Sequence, residues 1–275
     1  MDAAWFEAEQ PVVGIVDEAC SDTSDDAGTR PIHVDDALEA VLADDGVTIS
    51  RGTLEDVLMA APSLLVAAGE STLSAIARAE PDVPVLPVGD IVGLETVDRD
   101  ALPDALAVAL AGDATIRRRS VLGVDIDVDA DDTTRDSDGS PARALFDVAL
   151  VTDEPARISE YGVSSRGESV ATFRADGVVV ATPAGSHGYA SAVDAPHLSS
   201  TVDAVAVTPI APFVMQTRQW VLPEDGLTLT VKRNDTAVRL VVDDQPAETV
   251  PVDATVTIAV DSALPTLSVP DLEAE

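Results

Sequence analysis

The sequence predicts an α/β domain followed by an all-β domain, on three observations. Over residues 1–113, apolar runs of strand length alternate with amphipathic segments of helix length. From residue 114 onward, short β-branched segments follow one another with turn residues between them, and helical patterning almost vanishes. The chain has 275 residues, enough for two domains of ordinary size, each burying its own core, and no repeat of fixed period runs through it.

In the first half, PVVGIVDE (11–18) reads as a buried strand. DDALEAVLADDG follows as a helix, with Asp36 and Glu39 at capping-box spacing and Gly46 as its stop. SLLVAAG (63–69) is a second strand leading into the helical STLSAIARA, VPVLPVG (83–89) a third, and ALPDALAVALAG (101–112) a helix closed by Gly112. Strands alternating with helices form a parallel sheet with helices on its faces, a Rossmann-like arrangement. In the second half, TIRRRSVLGVDIDVD, ALFDVALVT, ARISEYGVSS, SVATFRADGVVVATP, DAVAVTPI, LTLTVKR, AVRLVVDD and ATVTIAV each read as strand, several with period-two alternation. An antiparallel β-sandwich over 114–275 buries that many short strands.

Charge narrows the functional classes. Fifty acidic residues against 16 basic ones give a net charge of −34, and Lys232 is the only lysine. Hydrophobic residues make up 46% of the chain, so it has the apolar surface to fold. This balance suits a salt-accumulating cytoplasm: at about 1 M salt the screening length is roughly 3 Å, which removes most of the self-repulsion. Nucleic acid is not an expected partner, since no basic stripe exists to neutralise phosphates. Cys20 is the single cysteine, which fits a reducing compartment. The N-terminal MDAAWFEAEQ lacks a signal-peptide pattern and the apolar runs are too short to span a bilayer, so a cytoplasmic protein with no membrane partner is expected.

The acidic tract DVDADDTTRDSDGS (127–140) opens with Asp127, Asp129 and Asp131 at the spacing of a calcium loop. Asp132 stands where that loop needs glycine, no closing glutamate follows, and strands flank it, so it reads as a solvated hairpin tip and no metal site is assigned.

Two segments could carry chemistry. AAGEST (67–72) lies after the second strand, where α/β sheets bind ligands, and offers backbone N–H groups for phosphate with one carboxylate for proton transfer. An ordinary strand-to-helix turn, with Glu70 and Ser71 as capping residues, would look the same. DGVVVATPAGSHGY (176–189) is a buried strand running into a turn of Pro, Gly, Ser and Thr; Thr182, Ala184, Ser186 and Tyr189 read as a small hydroxyl-rich surface ending in an aromatic. A plain hairpin loop is again the alternative. His187 in this loop reads as a solvated side chain, with ligand phosphate or ribose as the other candidate partner. Tyr161 and Trp220 read as packing residues.

ADGVVVATPAGSHGY (175–189) resembles the ADG-(I/V/L)-I-V-(A/S)-TPTGSTAY signature of NAD kinases. Pro196 stands at the proline of that family's SAGGP segment, DAVAVTPIAPF resembles its DAIVLTPICPH, and WVLPEDGLTLTV and RLVVDDQ resemble its later strands. On that anchor AAGEST falls at the family's GGDGT and RALFDVAL at its ALNE(V/I). The resemblance implies an α/β domain with GGDGT, a β-sandwich domain with the TPTGS loop, and a dinucleotide site between them. It implies phosphoryl transfer from ATP or polyphosphate, with Mg²⁺ or another divalent cation, to the 2′-hydroxyl of the adenosine ribose of NAD(H), giving NADP(H). Glu70 takes the place of the catalytic Asp, Gly69, Ser71 and Thr72 that of the phosphate-binding residues, and Asp147, Thr182, Ala184, Ser186 and Tyr189 that of NAD-binding residues. A homodimer or homotetramer follows from the family's habit.

Departures from the family pattern fall in its motifs. Glu70 moves the carboxylate by one methylene, about 1.5 Å, and misplacement near 1 Å costs on the order of 10²-fold in rate. Ser71 replaces a glycine, at a cost of roughly 1 kcal/mol if the position is left-handed. Phe146 replaces the asparagine that holds the adenine end, and Asp194 and Ala195 replace the paired glycines of SAGGP. These changes leave three readings: an active NAD kinase, a non-catalytic paralogue that binds a nucleotide as sensor or regulatory subunit, and a kinase for another acceptor.

Overall fold

The computed structural model describes residues 11–17, 32–34, 36–44, 46–127, 141–154, 157–214 and 218–270; Cys20, the side chain of Asp36 and the acidic tract beyond Asp127 lie outside them. The described residues fall into two compact units, one within 1–119 and 264–275, the other within 120–263.

The first unit runs β1 (Val12–Val16), α1 (Asp36–Asp44), β2 (Thr48–Gly52), α2 (Leu54–Met59), β3 (Leu64–Ala68), α3 (Glu70–Ala79), β4 (Val85–Val88) and α4 (Leu102–Leu110). Its strands are parallel in the order β2-β1-β3-β4. Because each inner strand is covered on both faces, its sequence is apolar without alternation, as in LLVAA, every residue of which is buried. Val13, Ile15, Leu64, Val66, Leu86 and Val88 face Leu38 and Leu42 of α1 and Leu106 and Ala109 of α4. On β1, a Cβ at Gly14 would lie 2.4 Å from Val57 Cγ1 and 2.9 Å from Leu65 Cδ2, so α2 packs on the sheet only because that position is bare.

The sequence reading passes over β2 and α2. TISRG is a half-exposed strand with one apolar residue, and LEDVLM is a single long turn whose one buried residue is Val57. The local signal that remains is Thr53, the N-cap, whose side chain accepts from the Asp56 N–H and donates to the Asp56 carboxylate at 2.8 Å.

The second unit continues with β5 (Thr115–Asp127, its first residues in the first unit), β6 (Ala142–Ala144), β7 (Asp147–Thr152), β8 (Ser159–Ser165), β9 (Glu168–Ala175), β10 (Gly177–Ala181), α5 (Tyr189–Ala192), β11 (Ala204–Ile210), β12 (Trp220–Pro223), β13 (Leu227–Arg233), β14 (Val238–Val242), β15 (Gln245–Val250) and β16 (Thr255–Ser268). One layer is an antiparallel sheet in the order β12-β11-β10-β7-β14-β15. The other pairs β13 with β8 and with the start of β16, and β8 with β9, again antiparallel. Val148, Leu150, Val178, Val180, Val205 and Val207 from the first layer meet Tyr161, Val163, Leu227, Leu229, Val231 and Val256 from the second in one buried core. This is the sandwich the alternating segments predict.

β16 is longer than the segment ATVTIAV suggests. Its start pairs with β13, and Thr266 pairs in parallel with Val85 of β4, so the chain's end returns to the first unit. Buried Arg119 anchors it there, donating to Thr266 Oγ1 at 3.3 Å with Glu95 3.6 Å away. Burial lowers the affinity of that guanidinium for its proton, and the Glu95 carboxylate opposes the shift.

Candidate functional site

β10 is one of the two central strands of the six-stranded layer, buried at every position, and it delivers Thr182 to the edge of the sandwich. There the chain makes a tight 182–188 turn containing a 3-10 segment, Gly185–His187. Thr182 closes this turn: its Oγ1 donates to Leu145 O at 2.7 Å and accepts from Gly185 N at 3.2 Å, while its N–H donates to Phe146 O at 2.9 Å. Ser186 Oγ donates to Pro183 O at 2.9 Å and accepts from Leu198 N at 3.0 Å. Thr182 is 2% exposed and Ser186 fully buried, and Ala184 is buried as well. The hydroxyl-rich surface read from the sequence is therefore corrected: these hydroxyls point inward, because the buried carbonyls and N–H groups of so tight a turn need them as partners.

The turn is interlocked with residues 145–147. An added Cβ at Gly185 would stand 2.0 Å from Phe146 O, so the two backbones touch. Asp243 holds the same residues from the other side. Its Oδ2 accepts from Leu145 N at 2.9 Å, its Oδ1 from Phe146 N at 2.8 Å and Asp147 N at 3.1 Å, and its own N–H donates to Asp147 O at 3.0 Å. Phe146 is buried.

Asp147 and Tyr189 come together here. Tyr189 is 41% exposed, and burial, followed by the carboxylates of Asp147 and Asp244, pushes its hydroxyl above the usual tyrosine range. Asp244 follows Asp243 in the β14–β15 turn; both have left-handed backbones, φ 60° and 46°, as a two-residue type I′ hairpin requires. Sequence reading misses both residues. The signal available is the pair DD between two strands, in place of the more familiar Asn-Gly.

His187 packs against the ring of His197, 4.4 Å between centroids, and Ser191 Oγ lies 3.2 Å from His197 Nε2. Tyr161 is fully buried, and Trp220 stacks on Phe173 at 5.7 Å. A cavity of about 560 Å³ opens beside that stack, lined by Glu160, Arg174, Phe213 and Arg218 among others; no residue of the sequence-predicted site lines it.

In the first unit, β3 ends at Ala68 and Gly69 turns the chain into α3 with φ 86° and ψ 157°. Gly69 is itself the N-cap and, having no side chain, makes no cap hydrogen bond, so the N-cap position is held by neither Glu70 nor Ser71. N–H groups in a helix's first turn have no intrahelical acceptor and attract anions. Glu70 begins the helix and is exposed, as is Ser71, while Thr72 is buried. Ser71 has a helical backbone and is absent from the residues with positive φ, so the strain contemplated for replacing a glycine does not arise.

Residues 145–264 match the family model of the ATP-NAD kinase C-terminal domain. An NAD kinase of Citrifermentans bemidjiense is 30% identical over 219 residues, covering 78% of this chain and 74% of that protein. Two solved structures share the fold: yeast NADH kinase complexed with NADH (TM-score 0.73, 17% identity, 96% of this chain and 84% of that one), and an NAD kinase from Archaeoglobus fulgidus in complex with ATP (TM-score 0.68, 18% identity, 94% and 92%).

Proposed function

The chain belongs to the NAD kinase family, and from that premise we propose that it phosphorylates the adenosine-ribose 2′-hydroxyl of NAD(H) to give NADP(H). The observation that carries the assignment is the interlock of the 182–188 turn with residues 145–147, which lies within the family match and leaves an acid, Asp147, beside an aromatic, Tyr189. Asp147 accepts hydrogen bonds from ribose hydroxyls, and Tyr189 packs on the nucleoside. Thr182, Ala184 and Ser186 serve NAD binding by fixing the shape of the turn and the backbone it presents.

Glu70 is the general base. Its carboxylate takes the proton of the 2′-hydroxyl as that oxygen attacks the terminal phosphorus of the donor; the bond from phosphorus to the bridging oxygen breaks, and the electron pair leaves with the shortened phosphate chain. The N–H groups around Gly69, Ser71 and Thr72 hold donor phosphates, and the positive end of the α3 dipole favours them there. The donor is ATP or polyphosphate. A divalent cation such as Mg²⁺ would come with the donor and would offset the negative charge of its phosphates; among the described residues no group of three or more His, Cys, Asp or Glu is arranged to hold it.

Among the described residues no helix is long and apolar enough to cross a membrane. The acidic surface supports work in a salt-rich cytoplasm. Exposed Phe213 and Val214 support a homodimer or homotetramer, whose mass is measurable by sedimentation in about 1 M KCl.

The test is NADP formation by the purified protein in that buffer with NAD, Mg²⁺ and either donor. Turnover with at least one donor is expected. NAD binding without turnover on any donor would replace this reading with the non-catalytic sensor.

A further inference from the structure

We propose that Asp243 is a positioning residue for the acceptor nucleotide: its side chain sets where Asp147 stands and how the 182–188 turn is presented. The proposal deepens the reading above and rests on it in assigning nucleotide contact to Asp147 and Tyr189.

Three consecutive residues, 145–147, offer six backbone polar groups, and two residues satisfy all six. Asp243 takes the N–H groups of Leu145, Phe146 and Asp147 on its two carboxylate oxygens and returns its own N–H to Asp147 O. Thr182 takes the two remaining carbonyls, Leu145 O through its hydroxyl and Phe146 O through its N–H. Leu145 and Phe146 lie between β6 and β7, outside both strands, so these bonds fix their path, while Asp147 is also paired with Ala181 of β10; Gly185 rests directly on Phe146. A displacement at Asp243 is thereby passed both to the Asp147 carboxylate and to the turn that ends in Tyr189.

The chemistry selects an aspartate. Three donors converging on two oxygens need an acceptor-only group with both oxygens available, which an ionised carboxylate is. Asparagine keeps one oxygen and turns an NH₂ toward one of the donors. Glutamate adds a methylene and reaches past the segment. The left-handed backbone of Asp243, imposed by the tight hairpin, aims the side chain back across β14 at β7.

The experiment compares wild type, Asp243→Asn, Asp243→Ala, Asp147→Ala and the double alanine variant, at a temperature where circular dichroism shows each to be folded. Turnover gives separate KM values for NAD and for the donor, and calorimetry gives the NAD dissociation constant. For Asp243→Ala the expected result is a tenfold or greater rise in KM and Kd for NAD with the donor KM unchanged, and a smaller rise for Asp243→Asn. In the Asp147→Ala background, Asp243→Ala is expected to raise the Kd for NAD by a smaller factor than in wild type, the part passed through the turn. A purely structural role would lower the melting temperature and leave both constants at wild-type values, overturning the proposal. Additive effects of the two alanine substitutions would also overturn it. If wild type binds NAD without turning it over, the kinase reading fails while the binding comparison still decides the role of Asp243.

Discussion

Gly185→Ala isolates the contact on which the second unit's site is built. The new Cβ would lie 2.0 Å from Phe146 O, 2.4 Å from its carbonyl carbon and 2.8 Å from its Cα. Relief requires a separation more than about 1 Å greater, and the obstacle is backbone rather than the end of a flexible side chain. Phe146 cannot recede without loosening Thr182 N to Phe146 O and Thr182 Oγ1 to Leu145 O. Overpacking costs about 1–3 kcal/mol, and two weakened hydrogen bonds add about 1 kcal/mol each. The expected total is roughly 3–5 kcal/mol, a fall in melting temperature near 10 °C for a chain of this size. A shift on the order of 1 Å in the turn should also lower kcat/KM for NAD by about 10²-fold. The assay is thermal unfolding by circular dichroism in about 1 M KCl with NAD kinetics at a temperature where the variant is folded. Gly167→Ala is the control: φ is +81° but nothing lies within 4 Å of an added Cβ, so backbone strain of about 1 kcal/mol is the whole expected effect. Equal melting temperatures and equal kcat/KM for NAD in Gly185→Ala and wild type would refute the interlock.

Thr182→Val leaves Leu145 O and Gly185 N buried without their partner and should cost about 2–3 kcal/mol, with Thr182→Ser restoring most of it; melting temperatures of the three proteins decide. Both tyrosines of the chain should ionise late: burial pushes Tyr161 up to about 12 and Tyr189 also lies above its usual value, so tyrosinate absorbance at pH 10 should fall below that of two free tyrosines. Because folded Tyr161 keeps its proton after the unfolded chain loses it near 10, stability should be intact below pH 10 and fall by roughly 2–3 kcal/mol by pH 12; a titration midpoint at 10 for both groups would contradict this. Dialysis from about 1 M KCl into dilute buffer should unfold the protein as screening is lost, and an unchanged circular dichroism spectrum would count against the salt-adapted reading.

Legibility followed the strength of the local signal. LLVAA followed by Gly69 and an amphipathic helix is visible because burial on both faces and a capping glycine both leave marks in sequence. β15, QPAETV, is an edge strand exposed at five of six positions, and β12 is four residues long, so neither leaves a period to read as a separate element. The return of β16 to β4 is set by pairing across more than 180 positions, which no local pattern encodes. In the site, small polar residues were legible as unusual but not as inward-facing: Thr182 and Ser186 look alike on paper whether they meet a ligand or their own backbone. Asp243 was invisible for the same reason, since its partners lie nearly a hundred residues away.

The most direct measurement compares NADP formation by wild type and Glu70→Gln under identical salt, donor and NAD concentrations. The account predicts that the variant binds NAD with unchanged affinity and turns it over about 10²–10⁴-fold more slowly, the range for losing a general base. Equal turnover by the two proteins would contradict it.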